Sequence, residues 1–197
     1  MKLDMVHDIQ TVYRKVIDSM SRPGTITELS EEAGKLEREG SMMPSTLVLA
    51  KMVLDTEVTF KVISEREAEA VHMLGQTTYA KEADVSDADY IFVLRDAAPG
   101  ELQRALEKAK IGELGDPHFS ATFIIEAASL TGGEKLRLTG PGIQSHAQAE
   151  PQTGDNWIDM RAERNAEFPL GLDLIFVDAD HRLLALPRTT QIAREEI

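Results

Sequence analysis

The feature that most constrains the fold is a continuous apolar run at residues 90–94, near the middle of the chain. Such a run is typical of a strand that is buried on both faces, inside a sheet with helices on either side. Amphipathic helices are predicted around it, and the first has apolar residues at spacings of three or four: Met5, Ile9, Val12, Val16 and Met20. The pattern therefore predicts an α/β protein, with a mixed sheet covered by helices on both faces.

The remaining elements follow from the same periodicities and from turn residues. Further helices are predicted to begin at Pro44, at Glu65 (ending at Gly75), at Pro99 and at about Asp155. Strands are predicted at residues 25–29, 56–63, 121–127 and 135–139, and a final hairpin at 172–177 and 182–186. Residues 30–40 are predicted to form a loop or a ragged helix. No repeat or linker divides the chain, so residues 1–197 are expected to form a single domain.

Charge and cysteine usage exclude several classes of function. The chain has 34 acidic and 21 basic residues, a net charge of -13, and no cysteine. The negative field disfavours nucleic acid and anionic membrane surfaces as partners. Without cysteine the chain has no disulfide, thiolate nucleophile or iron–sulfur ligand. The N-terminus lacks the apolar core of a signal peptide and no apolar run is long enough to cross a bilayer, so we expect a cytoplasmic protein.

Two loops combine residue types that can act in catalysis or anion binding. Arg22, beside the Pro23-Gly24 turn, can hold an anion, although the turn is also explained by the end of the first helix. Asp116, His118 and Ser120 can supply an oriented general base and a nucleophile. An Asp-Pro pair is also an ordinary turn, and no Gly-x-Ser-x-Gly motif surrounds the serine. Both readings stay open for each loop.

Two later loops are candidates for phosphate binding. Gly140 and Gly142 flank Pro141 after a predicted strand, and glycines allow backbone amides to approach a phosphate. The loop has no P-loop lysine, and a sharp turn would explain the same residues. Arg188 and Thr189 can form an anion clamp, or they can fasten the C-terminal segment.

No metal site is expected. The five histidines show no His-x-x-x-His pattern. Asp178, Asp180 and His181 have suitable chemistry, but they lie at the tip of the predicted hairpin, where such residues are usually solvated.

Six short motifs occur in a fixed order along almost the whole chain, from about residue 5 to residue 192. They are Met20-Ser21-Arg22-Pro23-Gly24-Thr25, Leu54-Asp55 with Thr59-Phe60, Asp116-Pro117-His118 with Ser120-Ala121-Thr122, Leu138-Thr139-Gly140-Pro141-Gly142-Ile143, Asn165 with Phe168-Pro169-Leu170-Gly171 and Asp173, and Leu186-Pro187-Arg188-Thr189-Thr190. Each is weak alone, but together they resemble the PhnH family, subunits of the bacterial carbon–phosphorus lyase system for phosphonate degradation.

The resemblance implies properties beyond those read from the residues. It implies a reduced form of the fold of pyridoxal-phosphate-dependent transferases without the cofactor, a homodimer, and assembly with the PhnG, PhnI and PhnJ subunits. The complex makes ribose 1-phosphonate 5-triphosphate from ATP and a phosphonate, and this subunit is expected to be non-catalytic. The lack of any Ser-x-x-Lys motif, with Lys135 the last lysine, agrees with an absent pyridoxal cofactor. Two alternatives stay open: a phosphate-ester or nucleotide hydrolase using Asp116, His118 and Ser120, and a small-molecule-binding protein without chemistry.

Overall fold

The computed structural model describes residues 3–36 and 40–195. The helices in these ranges are α1 (His7–Ser21), α2 (Ser30–Ala33), α3 (Pro44–Val53), α4 (Glu67–Thr78), α5 (Glu101–Lys108), α6 (Ile158–Arg164) and a 3-10 turn (Pro117–Phe119). The strands are β1 (Ile26–Glu28), β2 (Thr59–Ile63), β3 (Lys81–Glu82), β4 (Tyr90–Val93), β5 (Thr122–Glu126), β6 (Leu136–Thr139), β7 (Ala147–Ala149), β8 (Asp173–Val177), β9 (Arg182–Leu186) and β10 (Gln191–Arg194). Within the stretch 30–40, α2 occupies the first residues, and residues 37–39 lie outside the described ranges.

Seven strands form the main sheet, in the order β1-β9-β8-β5-β4-β2-β3. Strand β9 is antiparallel to both of its neighbours, and the other strands all run in one direction. The mixed sheet predicted from the sequence is therefore confirmed, as is the closing hairpin formed by β8 and β9.

Both faces of the main sheet are buried. Phe92 of β4 packs with apolar residues of α1, α3 and α4, whereas its neighbours Ile91 and Val93 pack with α5, α6 and the second sheet. We call the first side the α1–α4 face and the second the α5–α6 face. Each large side chain buried in this way contributes about 1.5–3 kcal/mol to the stability of the fold. The continuous apolar runs seen in the sequence are explained by this two-sided burial.

A second sheet was only partly predicted. It has three antiparallel strands in the order β10-β6-β7 and helps to cover the α5–α6 face. Of these three strands the sequence predicts only β6. The sequences of β7 and β10 are Ala-Gln-Ala and Gln-Ile-Ala-Arg, which are too short and polar to show the alternation of a half-buried strand.

Two helix boundaries differ from those predicted. Helix α4 continues through Gly75 to Thr78 and ends at Tyr79, whose φ is 62°. Gly75 does not end the helix, because the left-handed residue that does so is Tyr79. Helix α6 begins at Ile158, later than expected, because Asp155 is used in another contact described below. None of the helices in the described ranges has the length and apolar character needed to cross a membrane.

Candidate functional site

The strand order of the main sheet reverses between β2 and β4. The chain leaves β2 through α4 on one face and reaches β3, whereas it leaves β4 through α5 on the other face and reaches β5. In open α/β sheets, ligands commonly bind in the crevice that such a reversal opens at the carboxyl ends of the strands. This crevice is therefore the first candidate site.

A small cavity of about 110 Å³ lies at the carboxyl ends of β4 and β5. It is lined by residues 93–95, 97–99, 102, 125–126 and 153–155. Pockets that hold a ligand of drug or nucleotide size usually measure about 300–1,000 Å³. The cavity is thus too small for a nucleotide in this conformation.

Glu126, the last residue of β5, occupies the inner side of this cavity and is buried. One carboxylate oxygen accepts hydrogen bonds from the Met43 amide at 2.7 Å and from the Thr46 hydroxyl at 2.6 Å. The other accepts a hydrogen bond from the Arg95 amide at 3.1 Å. The carboxyl group therefore caps the first turn of α3 and holds the backbone after β4. Burial raises the pKa of Glu126, and the three hydrogen bonds only partly oppose this rise.

Asp155 caps the N-terminus of α5 in the same way. Its two carboxylate oxygens accept the Gly100 amide at 2.6 Å and the Leu102 amide at 3.0 Å, across more than fifty residues of sequence. An acidic group is favourable here, since unpaired amides and the helix dipole give a helix N-terminus a partial positive charge.

The two carboxylates occupy the helix N-termini at which an anion would bind in this crevice. Phosphates bind doubly wound folds at helix N-termini, and here the N-termini of α3 and α5 are already bound to Glu126 and Asp155. At the neighbouring carboxyl end of β2, Ser64 donates a hydrogen bond to Asp96 at 2.7 Å, which adds a further carboxylate. The N-termini of α3 and α5 are therefore not free to hold a phosphate, and the one cation among the described lining residues of the cavity is Arg95.

A larger groove of about 490 Å³ shares Thr153 and Asp155 with the cavity. Its only cationic lining residue in the described ranges is Arg194, which pairs with Glu134 at 2.9 Å and with Asp159 at 2.6 Å. The Arg194 guanidinium lowers the pKa of Asp159. The groove is large enough for a small molecule, but its cation is already neutralised.

Asp116, His118 and Ser120 lie at the opposite, amino end of β5. The His118 ring packs against Phe119 with 4.1 Å between ring centroids, and no hydrogen bond joins any two of the three side chains. The Ser120 hydroxyl is buried without a partner in the described part of the chain. In this structure the three residues are neighbours on one loop, but they do not form a hydrogen-bonded relay.

Arg188 is engaged in structural contacts. Its guanidinium pairs with Asp173 at 2.5 Å and donates a hydrogen bond to the Pro117 carbonyl at 2.8 Å. Its positive charge is therefore neutralised, and the contact joins the last loop to the loop that carries His118. Thr189, next to it, is half-buried.

The glycine loop is a close-packed turn. Gly140 and Gly142 have φ values of 129° and 82°. A Cβ atom would lie 2.8 Å from the Thr189 carbonyl oxygen at Gly140 and 2.1 Å from the Ser21 carbonyl oxygen at Gly142. Arg22, beside Ser21, is exposed and pairs with Asp18. The glycines thus bring the loop close to the first and last loop clusters, and their Cα positions lie against protein backbone.

The important residues that sequence reasoning missed are buried and charged. Arg161 is buried in α6 and donates to the Thr190 carbonyl at 3.1 Å and the Pro187 carbonyl at 2.7 Å; burial lowers its pKa to about 10. Glu126 could have been found from the sequence, because an acidic residue at the end of a strand that is buried on both faces needs hydrogen-bond partners.

No group of three or more His, Asp or Glu residues in the described ranges is arranged to hold a metal ion.

These features define a three-layer α/β protein whose expected ligand crevice is occupied by its own carboxylates. The family model described as "Bacterial phosphonate metabolism protein (PhnH)" matches residues 2–193. The chain therefore belongs to the PhnH family, and the resemblance carried by the six motifs is confirmed.

Two relatives match over most of their length. A putative C-P lyase subunit protein HtxG of Stutzerimonas stutzeri is 34% identical over 186 residues, which cover 93% of this chain and 85% of that protein. The alpha-D-ribose 1-methylphosphonate 5-triphosphate synthase subunit PhnH of Rhizobium meliloti (strain 1021) is 32% identical over 195 residues, covering 98% and 94% respectively.

Glu126 is expected to make stability depend on pH. The pKa of Glu126 is higher in the folded chain than in the unfolded chain. Its contribution to stability is therefore fully present below the pKa that it has in the unfolded chain, and it is lost as the pH rises through the pKa that it has in the folded chain. Between about pH 5 and about pH 8, wild type should therefore lose free energy of unfolding relative to Glu126→Gln, which does not titrate. Urea unfolding at both pH values measures this, with exposed Glu107→Gln as control. An equal pH dependence in wild type and Glu126→Gln would contradict the assignment.

The glycine turn is expected to be structural. Gly142→Ala should lower the free energy of unfolding by about 1 kcal/mol or more, because φ is positive and the new Cβ would meet the Ser21 carbonyl. Gly115→Ala is the matched control, since nothing lies within 4 Å of its Cβ position, and its effect should stay within about 0.5 kcal/mol. Chemical denaturation compares the two. A Gly142→Ala protein as stable as wild type would show that the turn tolerates a side chain.

Proposed function

We propose that this chain is a non-catalytic subunit of a carbon–phosphorus lyase complex in phosphonate catabolism. The observation that carries the proposal is the family match over residues 2–193, together with two relatives that are both named as subunits. The geometry agrees with a subunit role, because the candidate catalytic residues Asp116, His118 and Ser120 are not hydrogen-bonded to one another.

Within that complex, the chain supports formation of ribose 1-phosphonate 5-triphosphate from ATP and a phosphonate. Both substrates are anionic, whereas the chain has a net charge of -13 and its crevice is lined by Glu126 and Asp155. Contact with these substrates would therefore need more positive charge than Arg95, the one cation that lines the cavity in the described residues, and another subunit is the proposed source. The contribution of this chain is to hold the assembly together.

The finer parts of the proposal concern fold, cofactor and location. The three layers and the seven-stranded mixed sheet support a reduced transferase-like fold. No lysine lines the cavity in the described crevice, which supports a chain that binds no pyridoxal phosphate. We also place the chain in the cytoplasm, where ATP is available.

A small-molecule-binding role without chemistry is the second candidate. Its support is the groove of about 490 Å³ beside Trp157, which is large enough for a ligand. The hydrolase alternative has no comparable support in the described residues.

Assembly is tested by co-expressing a tagged chain with the PhnG, PhnI and PhnJ subunits of the same bacterium. We expect the subunits to co-purify and to give one complex mass by native mass spectrometry. The isolated chain should not hydrolyse ATP or phosphate esters. Failure to co-purify would contradict the proposal, and hydrolysis abolished by His118→Ala would favour the hydrolase instead.

The isolated chain is also expected to be a homodimer. Val6, Tyr13 and Ile17 are exposed, and their spacing places them on one side of α1. The neighbouring β1 forms an edge of the main sheet, and unpaired edges and apolar faces are commonly covered by a second subunit. Light scattering on a size-exclusion column at micromolar concentration should give twice the chain mass; a monomer mass would rule out the dimer at that concentration.

A further inference from the structure

Three large apolar side chains are exposed at the amino end of β5 and β8. Leu114 is 66% exposed, Phe119 59% and Phe168 77%. A single exposed apolar residue is ordinary, but several on adjoining loops are typical of an interaction surface. We call these three residues the Phe119 surface.

The loops that carry these side chains are joined to one another. The Gly171 amide donates to the Ile111 carbonyl at 3.1 Å, which ties the loop of Phe168 to the loop of Leu114. Ile111 also forms a β-bridge with Ser120, next to Phe119. The three side chains therefore lie on one fastened unit.

Further contacts hold this unit to the sheet. Arg188 links the Pro117 carbonyl to Asp173 at the start of β8. The Asn165 side chain accepts the Leu172 amide at 2.8 Å and donates to the Leu172 carbonyl at 3.1 Å. A surface fixed in this way loses little conformational entropy on binding. Several motif residues of the family thus support an exposed apolar surface rather than a catalytic group.

The surroundings of the Phe119 surface are acidic. Glu113, Asp116 and Glu167 are exposed on the same loops and have no ion-pair partner among the described residues. The carboxylates are available to a partner, because none is neutralised within the described chain.

The nearby cations are occupied. Lys110 pairs with Asp89 at 2.6 Å and Arg188 pairs with Asp173. Arg164 donates a hydrogen bond to the Ala109 carbonyl at 2.5 Å. The Ala109 carbonyl positions Arg164 but leaves its charge in place, so the three unpaired carboxylates exceed the one unpaired guanidinium. The surface therefore combines exposed apolar side chains with net negative charge.

We propose that the Phe119 surface docks a positively charged face of another subunit of the complex. This inference rests on the proposed function. Complementary charge around an apolar centre speeds association and orients the partner. A second copy of this chain is disfavoured here, because it would bring the same acidic loops and a net charge of -13.

The test is co-purification of tagged variants with co-expressed PhnG, PhnI and PhnJ. The variants are Phe119→Ser with Phe168→Ser, and Glu113→Lys with Glu167→Lys. The control is Tyr79→Ser, which removes an equally exposed aromatic ring at the end of α4. Thermal unfolding of each isolated variant verifies that the fold is kept.

Both double variants should recover at least about tenfold less partner than wild type, an effect within the range of interface hot spots. The Tyr79→Ser control should recover the wild-type amount. Raising the salt concentration should weaken wild-type assembly more than that of the Glu113→Lys and Glu167→Lys double variant, whose acidic loops are altered.

Two results would overturn the inference while leaving the proposed function intact. One is wild-type recovery of partners by the Phe119→Ser and Phe168→Ser double variant. The other is normal assembly by the Glu113→Lys and Glu167→Lys double variant, which would show that the acidic loops do not meet a positively charged face. If the first result came with a change from dimer to monomer in light scattering, the surface would belong to a contact with a second copy. If wild type itself recovers no partner, the proposed function fails, and this inference fails with it.

Discussion

Two-sided burial of the main sheet is the constraint on which the rest of the molecule depends. Because β4, β5 and β8 are covered on both faces, polar groups are confined to the two ends of the strands. At the carboxyl end, Glu126 and Asp155 bind the N-termini of α3 and α5. At the amino end, Arg188 and Asp173 fasten the loops. Each end is thus organised by charged side chains that bind the chain itself.

Much of the fold could be predicted because its signals are local. The apolar run 90–94 and the turn between β8 and β9 act over a few residues, and they indicated the α/β class and the hairpin correctly. The family could be recognised because its motifs mark turns and close contacts, such as Gly142 against Ser21, that a substitution would strain.

The rest could not be predicted because it depends on contacts between distant residues. Strand β3 has the sequence Lys-Glu and exists only because β2 pairs with it. Asp155 resembles any loop carboxylate until α5 is brought beside it. The candidate residues His118 and Arg188 could be placed on loops, but the sequence did not show that the Pro117 carbonyl would receive the Arg188 guanidinium.

Asp155 can also be viewed as a ligand that the chain carries with it. A tethered group competes with a free one at an effective concentration on the order of millimolar or higher. Free phosphate at lower concentrations would therefore not displace the carboxylate from the amides of Gly100 and Leu102. The N-terminus of α5 thus stays bound to Asp155 at such phosphate concentrations, and this part of the chain keeps one conformation. A fixed conformation of this kind suits a protein that other proteins must recognise and bind.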